Sequence, residues 1–272
     1  MKYTIQKMAN LLGVTTHMLR YYEKIGIIAP ETDQESGYRY YSVVDTRRFN
    51  LCRNLFAAGI PLKECSLLLQ DCDKESREAI IEKVINQSKR KIELEKMSQA
   101  MLRQYQAYSN IAEKDLGKVS VVSMPTIWRL DVSDNEDFYN DENINNEKQE
   151  WLDCQPASYW VSCIPYDSLK DYGSDKKIHY RYGLMIKEED ALKLNLHLSQ
   201  NVEVIAGGKY LNTIHCKSGR DPWGFEDVSI LMDYCKENNI TSIGNAYSHI
   251  ICSRKENNKI INYHNLKLQL FI

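Results

Sequence analysis

Residues 15–28 read TTHMLRYYEKIGII, and the rest of the fold follows from them. Thr15 can cap a helix that runs through Ile25, because its hydroxyl can accept from a free backbone N–H of the first turn. Gly26 ends that helix. Just upstream, Thr4 can cap a first helix through Leu12, with apolar Ile5, Met8, Ala9 and Leu12 at helical spacing. Gly13 supplies its C-terminal turn. Two helices joined this tightly make a helix-turn-helix candidate.

Downstream, the polar stretch PETDQESG is followed by Tyr38-Arg39-Tyr40-Tyr41, rich in β-formers, which predicts a hairpin, or wing. One of Tyr40 and Tyr41 must face inward; the pattern leaves open which. Ser42 can cap a helix through about Ala58, Gly59 lies beyond it, and Pro61 suits the first turn of another helix through Gln70. Residues 74–116 hold no Gly and no Pro, about 43 residues and roughly 65 Å of helix. Leu94, Met97, Met101, Tyr108 and Ile111 follow a 3–4 spacing that predicts a coiled-coil seam against a second copy of the chain.

Gly117 breaks the long helix. Beyond it the pattern predicts strands at 119–132 with an irregularity at Pro125, then a polar loop with a short helix at 133–150. Strands follow at 157–164 and 177–187, joined by a turn at Asp171–Asp175, and a strand pair or bulged strand at 202–216. A helix at Trp223–Asn238, with Asp221 as its possible cap, precedes two last strands near 244–254 and 263–272. Interleaved strands and helices make this an α+β domain. The expected organisation is therefore 1–72, a winged helix-turn-helix domain; 73–116, a dimerisation helix; and 117–272, an α+β domain.

The chain has 272 residues and a net charge of −2. Residues 1–70 carry nine basic and six acidic side chains, whereas residues 117–272 carry 17 and 22. A basic head can meet phosphates; the acidic tail is a poor nucleic-acid partner. No apolar run approaches the roughly 20 residues a bilayer requires, and MKYTIQKMAN has no apolar leader core. The eight cysteines form no CxxC pair, which suits reduced thiols in a cytoplasm. His215 and Cys216 are strand neighbours that point apart, a poor metal pair, so no metal or other cofactor is expected. His179, His197, His215, His249 and His264 offer bases and Cys163, Cys216 or Cys252 a nucleophile, but no spacing signature joins them, so no enzyme is expected.

Residues 15–28, the run Ser36-Gly37-Tyr38-Arg39-Tyr40-Tyr41 and the run Ala58-Gly59-Ile60-Pro61-Leu62 resemble the mercury-resistance-regulator (MerR) family of bacterial transcription factors. Arg20, Arg39 and Arg47 can meet phosphates, and the hydroxyls of Tyr21, Tyr38 and Tyr40 can bond phosphate oxygens. Thr15, Thr16 and His17 stand at the start of the recognition helix, where side chains reach base edges. Leu19 and Tyr22 suit a core instead. The resemblance implies a homodimer on double-stranded DNA, a pseudo-palindromic operator in an over-long promoter spacer, and RNA polymerase as partner.

In the last domain, Gly207-Gly208-Lys209-Tyr210, then Gly219 and a helix, then Ile243-Gly244-Asn245-Ala246-Tyr247 resemble the gyrase-inhibitor-like effector domain of multidrug-sensing MerR-type regulators. That resemblance implies two β-α-β-β halves with a ligand cleft. All four tryptophans and ten of the 18 tyrosines follow residue 116. Tyr159, Trp160, Tyr180, Tyr182, Tyr210, Trp223 and Tyr247 are the candidates for an aromatic box around a small aromatic or lipophilic ligand, with simple core packing as the alternative for each ring. Drug-sensing relatives often place a Glu in the last strands. Here Lys267 stands about there, and Tyr247 is followed by Ser248 and His249. Glu203 or Glu226 could substitute, and a neutral or anionic ligand is the alternative. A simple ligand-released repressor, or a small-molecule hydrolase in the last domain, are the competing functions.

Overall fold

The computed structural model describes the chain except residues 1, 71, 136, 219–221, 257 and 272 and the side chain of Glu256. It divides into two compact units, residues 1–91 and 92–272, with the boundary inside a long helix.

The first unit opens with α1 (Ile5–Leu12), capped by Thr4, whose hydroxyl accepts from Lys7 N at 3.4 Å. Gly13 follows at φ +65°, the left-handed conformation a helix C-terminus favours. Then come α2 (Thr16–Lys24), the two-residue strands β1 (Glu31–Thr32) and β2 (Arg39–Tyr40), α3 (Val43–Ala57) and α4 (Leu62–Leu69). Ser42 and Asp45 form a reciprocal capping box on α3, with Ser42 N donating to Asp45 Oδ2 at 2.7 Å. Met8, Leu19, Tyr22, Ile27, Tyr41, Phe49, Cys52 and Cys65 form one core, closed by Val84 from the first half of α5 (Lys74–Ile111).

The second unit holds the rest of α5, then β3 (Ser120–Met124), β4 (Ile127–Asp134), β5 (Asp137–Phe138), α6 (Glu142–Leu152), β6 (Tyr159–Ile164) and α7 (Tyr166–Leu169). Next are β7 (Arg181–Lys187), α8 (Glu188–Lys193), β8 (Val202–Ile205) and β9 (Gly208–Ser218). After a 3-10 turn (Phe225–Asp227), α9 (Ser229–Glu237), β10 (Ile243–Glu256) and β11 (Lys259–Leu270) complete it. Among the described residues, nine strands make one sheet in the order β3-β9-β11-β10-β6-β7-β4-β5, with β8 added beside β4. β4-α6-β6-β7 and β9-α9-β10-β11 repeat one pattern, and they meet where β10 pairs with β6.

Alternation gives each strand two faces. On the helix face, Ile164, Leu211, Leu266 and Leu268 pack with Leu231 and Cys235 of α9, while Trp128, Leu130 and Leu184 pack with Trp151 of α6. On the opposite face, Ile127, Val161, Cys163, Met185, Ile205, Tyr210 and Tyr247 form a separate cluster. Ile127 and Ile205 near one end of the sheet therefore reach Tyr210 near the other, so the sheet curls. Gly183 permits the approach of β7 to β4: a Cβ there would lie 2.2 Å from Leu130 O.

Several sequence expectations need correction. The long helix stops at Ile111 rather than 116. Pro125 does not dent one strand but separates two, because β3 pairs with β9 and β4 with β7. The strand expected over 177–187 is confined to Arg181–Lys187. The helix expected from Trp223 begins as the 3-10 turn and becomes α-helical only at Ser229. The cap expected at Asp221, Gly219 of the effector-domain motif, and the expected strand end at Ile272 lie outside the described residues.

The expected seam also changes. Leu94 and Met97 pack against the cluster that holds Trp151, and Tyr108 packs beside Ala112, Ile214 and Tyr263. These three cover their own sheet, while Met101 and Ile111 of the expected seam remain exposed, as do Ile81, Ile85, Ile92 and Leu102.

Candidate functional site

α2 divides cleanly. Leu19 and Tyr22 are buried, whereas His17, Arg20 and Tyr21 face out beside Met18. Thr15 spends its hydroxyl as the cap, accepting from Met18 N at 3.1 Å, and Thr16 is half-buried. No carboxylate among the described residues lies within 4 Å of Arg20.

The wing carries Tyr38, 70% exposed at its tip, where Asp33 accepts from Ser36 N at 2.9 Å and Gly37 adopts φ +69°. Tyr41 is the inward tyrosine of its pair and Tyr40 is half-buried. Arg39 is exposed but not free: its Nη1 lies 2.9 Å from Glu23 Oε2 on α2. The Tyr41 hydroxyl donates to the other Glu23 oxygen. Burial pushes the Glu23 carboxyl above its usual range, and Arg39 and Arg20 pull it back down. Glu23 is thus the hub of this surface, and its location between two basic residues was not read from the sequence. Arg47 is exposed on α3, while neighbouring Arg48 donates to Leu69 O at 2.5 Å, tying α3 to α4.

The seven candidate ligand aromatics do not form one box. Trp160 and Tyr182 stack on the helix face at 4.9 Å and 14°. Tyr180 and Trp223 pack on the same face under α9. The Trp223 indole donates to Ser162 Oγ at 3.0 Å and lies 5.6 Å from both His215 and His264. Lys217 bonds Asp227 beside that ring. Burial lowers His215 and His264 to about 4, so both imidazoles are neutral near pH 7. Tyr159, Tyr210 and Tyr247 lie on the opposite face, with Tyr210 and Tyr247 buried 6.4 Å apart and Tyr159 5.2 Å from His249.

That opposite face is charged. Arg129, 0% exposed, and Arg181 both pair with Asp131, and Arg181 reaches Glu203 at 4.0 Å. Arg129 also lies 6.0 Å from the Tyr247 ring centroid. Lys267 donates to Asn265 Oδ1, and burial lowers its ammonium to about 8. His249 is lowered to about 3 by burial and by the charges of Lys267 and His264. Glu203 and Glu226, the candidate substitute carboxylates, are both exposed. Burial pushes the Cys163 and Cys252 thiols up, away from the nucleophilic thiolate. Among the described residues no group of three His, Cys, Asp or Glu side chains is placed to hold a metal ion.

Residues 3–72 match the family model described as MerR HTH family regulatory protein. These residues form a MerR-type helix-turn-helix domain. The mercuric resistance operon regulatory protein of Bacillus cereus is 33% identical to the chain over 75 residues, 28% of this chain and 57% of that protein. The multidrug-efflux transporter 2 regulator of Bacillus subtilis is 34% identical over 68 residues, 25% of each chain. The chain thus spans about half the length of the first relative and a quarter of the second. Among solved structures, the match to an EcmrR–DNA complex in EcmrR-RPo covers 99% of this chain and 100% of that chain at 17% identity and a TM-score of 0.38. The MerR-type domain accounts for Leu19, Tyr22 and Tyr41 as core and leaves the exposed side of α2 and the wing as its free surface. No helix among the described residues is long and apolar enough to cross a membrane.

Proposed function

We propose that the chain is a ligand-responsive transcription regulator that binds a pseudo-palindromic promoter operator as a homodimer in a bacterial cytoplasm. The observation that carries this reading is the exposed face of α2, with His17, Arg20 and Tyr21 presented beside a wing that Arg39 fastens to the same helix. In a major groove, the first turn of α2 would meet base edges while Arg20, Tyr21, Tyr38, Tyr40 and Arg47 meet phosphates. The apolar residues left exposed on α5, Ile81, Ile85, Ile92 and Leu102, favour a second copy as partner. Two recognition helices related by a two-fold axis require two half-sites.

The repeated β-α-β-β halves favour a gyrase-inhibitor-like effector domain that holds a small aromatic or lipophilic ligand, with α5 (Lys74–Ile111) as the dimerisation helix. Ligand binding would shift the dimer toward the form that bends and untwists the promoter for RNA polymerase. Such deformation costs about 1–10 kcal/mol, to be met from DNA contacts and ligand coupling. Selection of bound duplexes from a random pool by the purified full chain tests the reading. Enrichment of an inverted repeat supports it, and enrichment of single half-sites, or of nothing, overturns it.

A further inference from the structure

We propose that the opposite face of the C-terminal sheet binds an anionic ligand, a carboxylate on an aromatic body, with Lys267 as its counter-ion and Arg129 as a second donor. This rests on the reading of that domain as a ligand sensor and adds the charge of what it senses.

Register places the groups. Lys267 on β11 pairs with Tyr247 on β10, Tyr247 with Cys163 on β6, and Cys163 with Arg181 on β7. These four residues form one rung across four adjacent strands, about 14 Å from end to end at the usual strand spacing. The next rung carries Asn265, opposite His249. The curl of the sheet brings Arg129 of β4 over the Tyr247 ring. Tyr159, beside His249, supplies a further aromatic wall.

The charges do not balance. Arg129, Arg181 and Lys267 stand against Asp131 and Glu203. Asp131 already serves both guanidiniums, and Glu203 is exposed. No carboxylate among the described residues lies within 4 Å of Lys267, whose bond goes to an amide oxygen. Arg129 is fully buried, yet its Nε and Nη1 have no hydrogen-bond partner. Lys267 is half-buried, and a cation partly withdrawn from water is normally paired with an anion. A carboxylate between Lys267 and Arg129 would balance the face, and the tyrosines would flank its ring. A lipophilic cation would add to the uncompensated positive charge of this face and be disfavoured.

Calorimetric titration of the full chain at low salt with 2-naphthoate, 2-naphthamide and 2-naphthylmethylammonium tests this, since the three share one ring system and differ in charge. Naphthoate should bind at least about tenfold more tightly than the amide, and the ammonium most weakly. Lys267→Met should bring naphthoate to the affinity of the amide, and Lys267→Gln, which keeps a donor, should lie between. Retained DNA binding and circular dichroism establish that each variant folds. Equal or tighter binding of the ammonium, or an unchanged naphthoate affinity in Lys267→Met, overturns the anionic assignment while leaving a ligand sensor. Binding of none of the three overturns the assignment together with the sensor reading beneath it.

Discussion

Arg39 in the wing and Glu23 on the second helix are joined by a 2.9 Å ion pair, so the wing is fastened to the helix it flanks. The carboxylate also accepts from the Tyr41 hydroxyl, which enters from the core side. Arg39 is more than half exposed, so its pair alone contributes little to stability. The Tyr41 bond is different, because loss of Glu23 strands a buried hydroxyl. Glu23→Ala should therefore cost about 1–3 kcal/mol in urea denaturation of the full chain. Adding Tyr41→Phe to that variant should recover part of the loss, and strict additivity of the two changes would show that the bond contributes nothing.

Arg20 has no carboxylate within 4 Å among the described residues, unlike Arg39. Its charge is available to a phosphate without first breaking an ion pair. Arg20→Ala should weaken binding to operator and to unrelated duplex alike, and should lower the slope of log K against log salt by about 1. A loss confined to the operator would make Arg20 a base reader instead.

The first unit was legible because its signals are local. Thr4, Gly13, Thr15, Ser42 and Pro61 act on the turn beside them, and each helix limit they implied lies within a residue or two of the observed one. The role of Glu23 was not legible, since its partner Arg39 is sixteen residues away across a hairpin. The seam on α5 divides: Met101 and Ile111 stay exposed and open to a second copy, whereas Leu94, Met97 and Tyr108 do not. A 3–4 spacing says that a stripe is covered, not by what, and Leu94 and Met97 are covered by the sheet of their own chain. The aromatic set divides similarly: composition groups seven rings, but strand alternation splits the five on strands between the two faces, and Tyr180 and Trp223, outside the strands, pack on the helix face. Lys267 stood out in the sequence only as a departure from a pattern; its lack of a near carboxylate depends on register, which sets Tyr247 and Asn212 opposite it and leaves Asn265 to accept its bond.

The two stripes of α5 can be separated by substitution. Ile85 and Ile92 are 42% and 53% exposed, whereas Leu94 packs against the Trp151 cluster. Ile85→Glu with Ile92→Glu should shift the chain toward monomer in sedimentation equilibrium while leaving tryptophan-detected unfolding nearly unchanged at equal protomer state. Leu94→Glu should instead lower the stability of the C-terminal unit by at least about 1 kcal/mol. The reverse assignment of effects would return the seam to Leu94 and Met97.

Acid should weaken the C-terminal unit through two histidines. His215 and His264 lie 5.0 Å apart with their rings tilted by 31° beside Trp223, and burial lowers both to about 4 from an ordinary value near 6.5. Asp227 opposes the shift on both, whereas Lys217 adds to it, and each ring further faces the Trp223 indole. Between about pH 6.5 and 4 the unfolded chain therefore binds more protons than the folded one, so stability falls as pH falls. The contribution is complete above pH 6.5 and lost as pH approaches 4, on the order of 1–3 kcal/mol for each ring. Urea midpoints followed by tryptophan emission at pH 7, 6 and 5 should decline, and they report this unit because all four indoles lie in it. The double variant His215→Gln, His264→Gln should show a flatter decline over the same range. An equally steep decline in that variant would assign the acid sensitivity to other groups, with His249 beside Lys267 the next to test.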